Sequence, residues 1–296
     1  LNAADGQATA WNPGANDTVK TLAVSGSTVY VGGDFTLIGA TPMTRNSLAA
    51  LNAADGTATS WAPNANSDVN TLAVSGGIVY VGGYFTSIGA TPVTRNHIAA
   101  LNMADGEATA WAPNANSTVF TLALSGSTVY VGGQFTLIGA TPVTRNYLAA
   151  LNATDGTTTA WAPNASYFVH TLAVSGATVY AGGEFTSIGA TPVTRNYLAA
   201  LNAADGAATA WAPNANGTVD TLAVSGNMVY VGGAFSLIGA SPVTRNYLAA
   251  LNASDGTATA WNPNPSATVR VLAVSDTTVY AGGHFTLIGA TFVTRN

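Results

Sequence analysis

The sequence contains no cysteine, and only 7% of its 296 residues are charged. Without cysteine, a disulfide framework, a thiolate metal site and a cysteine nucleophile are all excluded. Basic residues are scarce: eight Lys and Arg against thirteen Asp and Glu give a formal net charge of -5. Nucleic-acid binding needs a basic footprint, so we expect no nucleic-acid partner. Polar residues or glycine interrupt every apolar run before the ~20 residues of a membrane-spanning helix, so we expect no membrane insertion.

The sequence signatures of common enzymes are missing as well. No G-x-S-x-G, H-E-x-x-H or G-x-x-x-x-G-K-[ST] motif occurs, and the three histidines are His97, His170 and His284. A Ser-His-Asp arrangement would have to be assembled from distant segments. The histidines and carboxylates do not have a defined zinc-ligand spacing. We therefore predict no catalytic activity, no metal site and no cofactor.

What the sequence does contain is a 50-residue repeat that runs through the whole chain. Six copies fit, and the last one stops four residues short, at Asn296. Repetition at such a period is typical of propellers and solenoids, in which all copies form one domain. We predict a single domain over residues 1–296. Tryptophan marks the phase of the repeat at Trp11, Trp61, Trp111, Trp161, Trp211 and Trp261.

Each repeat has the pattern of short β-strands. In the first copy, Val19–Ser25 and Thr28–Phe35 alternate with period two and are rich in β-branched residues. A longer connection, Leu37–Asn46, follows them. Two further strands, Ser47–Ala53 and Thr57–Trp61, flank an Asp-Gly dipeptide that favours a hairpin turn. The sequence therefore predicts four antiparallel strands in each repeat.

Four short strands repeated six times predict an all-β, six-bladed β-propeller. Because the chain starts inside a repeat, we expect the N-terminal and C-terminal segments to share one blade and close the ring. Both faces of each sheet would then be buried between blades, and Gly32 and Gly33 would let a neighbouring blade approach closely. An open β-solenoid is the alternative architecture.

The residues V-Y-V-G-G-D-F-T at Val29–Thr36 resemble the core of the delta-60-type bacterial β-propeller repeat. Thr21–Val24, Arg45-Asn46 and Leu48–Asn52 carry the same resemblance, and the propeller repeats of fungal cortical-marker proteins are similar. The resemblance implies a propeller without known catalytic activity, in an extracellular or cell-surface location. The copies are unusually alike here, which suggests recent amplification or an engineered symmetric protein.

Comparison of the copies shows where side-chain chemistry varies. One variable position is the second residue of the first strand, and the other follows the double glycine. The turns place both at the same end of each repeat, near the loop-face mouth of the central channel. Variable residues held by a rigid scaffold are candidate binding residues. They are Lys20, Asn70, Phe120, His170, Asp220 and Arg270 at the first position, and Asp34, Tyr84, Gln134, Glu184 and His284 at the second.

Two pairings follow from this arrangement. Asp220 and Arg270 occupy equivalent places in adjacent repeats, so we expect an ion pair between them. His170 and Glu184 share one repeat and one end of it.

One arginine recurs in every copy, and we assign it a structural role because its five N–H donors can pin irregular backbone. A ring of arginines that binds acidic or sulfated glycans is the alternative. The series consists of Arg45, Arg95, Arg145, Arg195, Arg245 and Arg295.

Three functions remain open. The first is a non-catalytic scaffold or binding module that takes a glycan, a small molecule or a peptide at the channel mouth. The second is an engineered or recently amplified propeller with no dedicated ligand. The third is a metal-dependent hydrolase that uses the channel. In each case we expect a monomer.

Overall fold

The computed structural model describes residue 2, residues 5–289 and the backbone of Val293–Thr294. The regular elements within these residues are all β-strands, which confirms the prediction of an all-β chain over this range. No helix in the described part has the length and hydropathy needed to cross a membrane.

Each repeat contains up to three longer strands and one pair of short strands, and we number the repeats by their first strands. The first strands are Val19–Ser25, Val69–Ser75, Val119–Ser125, Val169–Ser175, Val219–Ser225 and Val269–Ser275. The second strands are Thr28–Gly33, Ile78–Gly83, Thr128–Gly133, Thr178–Gly183, Met228–Gly233 and Thr278–Gly283. The third strands are Leu48–Asn52, Ile98–Asn102, Leu148–Asn152, Leu198–Asn202 and Leu248–Asn252.

The short strands form two-residue antiparallel pairs between the second and third strands. These pairs are Leu37–Ile38 with Met43–Thr44, Ser87–Ile88 with Val93–Thr94, Leu137–Ile138 with Val143–Thr144, Ser187–Ile188 with Val193–Thr194, Leu237–Ile238 with Val243–Thr244, and Leu287–Ile288 with Val293–Thr294.

The chain divides into two compact units within its third repeat. Unit 1 comprises Leu1–Ser127, Phe135–Thr144 and Leu151–Thr157, and unit 2 comprises Thr128–Gln134, Arg145–Ala150 and Thr158–Asn296. In unit 1, the first, second and third strands of repeats one and two form antiparallel sheets in that order. Repeats four and five of unit 2 form the same sheets, and repeat six contributes a two-stranded sheet.

Two expectations about the strands are corrected. The predicted fourth strand, Thr57–Trp61, forms only a bridge to the third strand, in which the amide of Asn52 donates to the carbonyl of Thr57 and that of Thr59 donates to Ala50. The pairing cannot extend far because Pro63 follows, and proline has no amide hydrogen to donate to a ladder. Conversely, Leu37–Asn46 contains a short strand pair that the sequence analysis interpreted as a plain connection.

The core of each unit lies between neighbouring repeats, because both faces of the sheets carry apolar side chains. In unit 1, Tyr30 and Leu48 of the first repeat share a buried cluster with Val69 and Leu72 of the second. Gly32 permits this close packing, since a Cβ atom on it would lie 2.7 Å from Val69 Cγ1. Unit 2 has the equivalent cluster between its repeats four and five.

The first and last repeats each have an apolar face that is exposed. Leu22 is 58% exposed, whereas the equivalent Leu72 is 7% exposed. In the sixth repeat, Tyr280 is 42% exposed, whereas the equivalent Tyr180 is 5% exposed. These side chains occupy the positions that pack against a neighbouring repeat elsewhere in the chain.

Candidate functional site

The first strand carries a β-bulge at its second residue. In the first repeat, Val19 pairs with Gly33 and Thr21 pairs with Gly32, so Lys20 has no partner in the ladder. A bulged residue is released from the regular pairing, and its side chain is aimed differently from its neighbours. The first variable position therefore lies outside the regular sheet. The same shift occurs at Asn70, His170, Asp220 and Arg270.

The second glycine of each pair makes the bulge possible. A Cβ atom on Gly33 would collide with the carbonyl oxygen of Thr18. The amide of Asp34 donates to the same oxygen over 2.9 Å, which holds the second variable position beside the bulge. The sequence predicts that both glycines leave room for a neighbouring repeat to pack closely. That prediction holds for Gly32, whereas Gly33 accommodates the backbone of its own repeat.

In unit 1, the bulge brings Lys20 close to two carboxylates and a ring. Its Nζ lies 2.6 Å from Asp34 Oδ1, 3.0 Å from Asp68 Oδ2 and 5.9 Å from the ring centre of Tyr84. Burial lowers the pKa of Lys20, but hydrogen bonds to the two carboxylates outweigh it, so the pKa is raised. Asp68 was not among the predicted binding residues. The sequence contains a signal for it, because the second copy alone has a carboxylate at this loop position.

In unit 2, the bulged residues form two close side-chain contacts with polar partners. His170 Nε2 lies 2.8 Å from Glu184 Oε1, within one repeat. Arg270 donates from a guanidinium nitrogen to Asp220 Oδ2 over 3.1 Å, which confirms the predicted ion pair between adjacent repeats. Burial raises the pKa of Asp220, and the positive charge of Arg270 offsets only part of this effect. His284 also acts on Asp220 electrostatically.

The raised pKa of Asp220 predicts a pH dependence of stability. The folded protein binds more protons at this carboxyl than the unfolded chain does, so the free energy of unfolding falls as pH rises from 3.8 through the folded pKa. We expect Asp220→Asn to flatten this fall, and Arg270→Ala to steepen it by raising the pKa further. Urea unfolding at a series of pH values from about 4 to 7 measures both slopes. Three identical slopes would contradict the prediction.

The remaining candidates lie in the first strands or directly after the second strands of their repeats. Asn70 donates from Nδ2 to the carbonyl of Val119 over 3.3 Å. Phe120 lies in a first strand, and Gln134 directly follows a second strand. Within the described residues, no group of three or more His, Asp or Glu side chains could hold a metal ion.

The recurring arginine joins two segments of irregular backbone. Arg95 donates to the carbonyl of Thr94 over 2.8 Å and to that of Thr109 over 2.6 Å. These contacts support the structural role, which stays a prediction. Arg295 lies outside the described residues. Equivalent bonds to the carbonyl fourteen residues later are made by Arg45, Arg145, Arg195 and Arg245.

Two solved structures share this architecture. The computationally designed Ika8 protein matches with a TM-score of 0.56 at 13% identity, over 91% of this chain and 82% of that one. The WD40 repeats of RRP9 match with a TM-score of 0.57 at 10% identity, over 83% of this chain and 63% of that one. WD40 repeats form propellers. The fold is a β-propeller. No protein-family model and no curated protein matches the chain, so the delta-60 type remains a resemblance.

The propeller repeats are tied together by contacts that the sequence analysis did not foresee. The hydroxyl of Thr21 accepts a hydrogen bond of 3.2 Å from the amide of Leu72, which joins the first strands of neighbouring repeats. Trp61 packs edge to face on Tyr30 of its own repeat, with ring centres 5.1 Å apart, and its indole N–H donates to the carbonyl of Asn102 in the second repeat over 2.9 Å. Further threonine bonds of this kind are accepted by Thr71, Thr171 and Thr221.

A cluster of three aromatic rings in unit 2 was also missed. It consists of Tyr147, Tyr167 and Phe168. Comparison of the copies contains the signal, because the fourth repeat has Tyr-Phe where the others have only small or polar residues.

Proposed function

We propose that the chain is a non-catalytic scaffold whose bulged residues form a binding surface at the loop-face mouth of a propeller channel. The proposal rests on the difference between the repeated backbone at the bulge and the side chains that it carries, which vary from repeat to repeat. The frame around it repeats from copy to copy, whereas the bulged side chain is Lys20 in one repeat, His170 in another and Asp220 in a third. The ion pairs of Lys20 and Arg270 and the contact between His170 and Glu184 each include a bulged residue. A fixed frame with variable polar groups suits recognition of a ligand.

We further propose that residues 1–296 form one six-bladed ring. Support comes from the exposed faces of the first and last repeats. A Cβ atom on Gly232 would lie 2.7 Å from Val269 of the following repeat, whereas a Cβ atom on Gly282 would meet, among the described residues, only Val271 of its own repeat within 4 Å. Val19 is the equivalent valine of the first repeat, and it is 40% exposed. Docking of Val19 on Gly282 would bury both faces with the contact that the described junctions at Gly32, Gly82, Gly182 and Gly232 use.

A thermal-shift experiment tests the binding surface. The probes are Ca²⁺, Zn²⁺, a heparin tetrasaccharide and a neutral tetrasaccharide. We expect one of them to raise the melting temperature of the parent, because a ligand that binds only the folded state stabilises it. The rise should vanish in a triple variant that carries Lys20→Thr, Asp220→Thr and Arg270→Thr.

The matched control changes the opposite, hairpin end of repeats one, three and five. It carries Ser27→Thr, Ser127→Thr and Asn227→Thr, at positions where the sixth copy already has Thr277. This control should keep the shift. If no probe shifts the parent and the triple variant is as stable as the parent, the binding surface is refuted for these ligand classes.

That negative result would favour the second candidate, an engineered or recently amplified propeller without a dedicated ligand. The similarity of the copies and the fold shared with a computationally designed protein support this candidate. A Zn²⁺-dependent shift accompanied by ester hydrolysis would instead support the hydrolase.

A further inference from the structure

The aromatic cluster of unit 2 forms a partly exposed platform. The rings of Tyr167 and Phe168 are stacked, with centres 4.0 Å apart and planes inclined by 24°. Tyr147 meets Phe168 edge to face at 5.6 Å, which supports the stack from the side. Tyr167 is nevertheless 44% exposed. A ring held in place by its neighbours loses little freedom when a ligand covers it, so binding costs less conformational entropy.

A hydrogen-bonding pair lies beside this platform. The amide of Glu184 donates to the carbonyl of Phe168 over 2.9 Å, which holds the backbone of residue 184 beside that of residue 168. Glu184 Oε1 lies 2.8 Å from His170 Nε2, and their side chains are 38% and 23% exposed. Carboxylate and imidazole together can accept and donate hydrogen bonds. The aromatic rings and the polar pair therefore lie at the same end of the fourth repeat.

The platform occurs in one repeat only. Tyr197 and Tyr247 occupy the loop position of Tyr147, but the residues that follow them in the next repeat are small or polar. The dipeptides equivalent to Tyr167-Phe168 are Asp17-Thr18, Ser67-Asp68, Ser117-Thr118, Gly217-Thr218 and Ala267-Thr268. Since small residues serve the same loop five times, the fold does not require two aromatic rings there.

We propose that this platform is a carbohydrate-binding site for one neutral pyranose unit of a glycan. The exposed face of Tyr167 packs against the C–H face of the sugar ring, and Glu184 and His170 bond to its hydroxyl groups. The proposal deepens the proposed function and rests on it, because it names the ligand class for one part of the binding surface. It also predicts one site per chain.

The geometry favours a sugar over a quaternary ammonium ion. A cation is bound best where it lies over the face of a ring, and a cage needs rings that surround it. Here Tyr167 and Phe168 are stacked with an inclination of 24°, and Tyr147 contacts both of them, so the three rings pack against one another and do not surround a space for a cation. Glu184 is already engaged by His170. A flat apolar face bordered by a donor and an acceptor matches a pyranose, which has the same two surfaces.

Isothermal titration calorimetry with cellotetraose, maltotetraose and mannotetraose tests the site. We expect at least one of them to bind with a stoichiometry of one and a Kd between about 10 μM and 10 mM. Tyr167→Ala should weaken that binding at least tenfold, and Tyr167→Trp should retain it. The alanine variant is expected to fold, because the sixth copy has Ala267 at this position.

Met43→Ala is the matched control, since Met43 is 44% exposed, as Tyr167 is, and lies outside both variable positions and the aromatic cluster. It should leave the Kd unchanged. The inference is overturned if none of the three sugars binds, if Tyr167→Ala binds as well as the parent, or if only tetramethylammonium binds. A heparin or Ca²⁺ shift that the Lys20, Asp220 and Arg270 triple variant loses, together with no binding of the three sugars, would sustain the proposed function and refute the sugar site.

Discussion

Gly183→Ala is expected to lower the free energy of unfolding by at least about 3 kcal/mol. A Cβ atom on Gly183 would collide with the carbonyl oxygen of Phe168, to which the amide of Glu184 donates. The backbone of the first strand would have to move, and the bulge that carries His170 would be lost. Urea unfolding followed by tryptophan fluorescence measures the change.

Gly176→Ala in the same repeat is the control. Gly176 lies in a hairpin turn with a φ of 56°, and a Cβ atom on it would meet nothing within 4 Å. Only the left-handed backbone opposes alanine there, at a cost of about 1 kcal/mol. Equal losses for the two variants would show that the bulge tolerates a side chain, contrary to our account of the double glycine.

Leu22→Asp is expected to destabilise the protein about as strongly as Leu72→Asp, by about 4 kcal/mol, because a buried, unpaired charge is among the costliest substitutions. Leu72 is 7% exposed between the first two repeats, and Leu22 is the equivalent residue of the first repeat. If the ring closes as proposed, the last repeat covers Leu22. Urea unfolding of both variants under the same conditions provides the comparison.

A change within about 0.5 kcal/mol for Leu22→Asp would contradict closure, since surface substitutions have effects of that size. Light scattering over a hundredfold range of protein concentration then shows whether Leu22 is covered by the last repeat of the same chain or by a second copy of the chain. A closed ring stays monomeric at each concentration. A chain that covers Leu22 with a second copy becomes larger as the concentration rises, and this result would also contradict closure within one chain.

The sequence by itself determined the elements that depend on local alternation. The period-two pattern of Val19–Ser25 predicts the first strand with the bounds that the structure has, because neighbouring side chains of a strand point to opposite faces. The 50-residue period predicted the repeated strand groups and the propeller fold. The pairing of Asp220 with Arg270 also followed from their equivalent places in adjacent copies.

Only the tertiary structure decided features that depend on register between segments. The bulge at Lys20 became definite only when Val19 was paired with Gly33 and Thr21 with Gly32, although the three-residue spacing between the apolar Val19 and Leu22 already breaks the period-two alternation there. The short strand pair depends on hydrogen bonds across a loop, and the platform depends on Tyr147 meeting the next loop at Phe168. Local periodicity contains no information about these contacts, because each one joins residues that the chain separates and packing brings together.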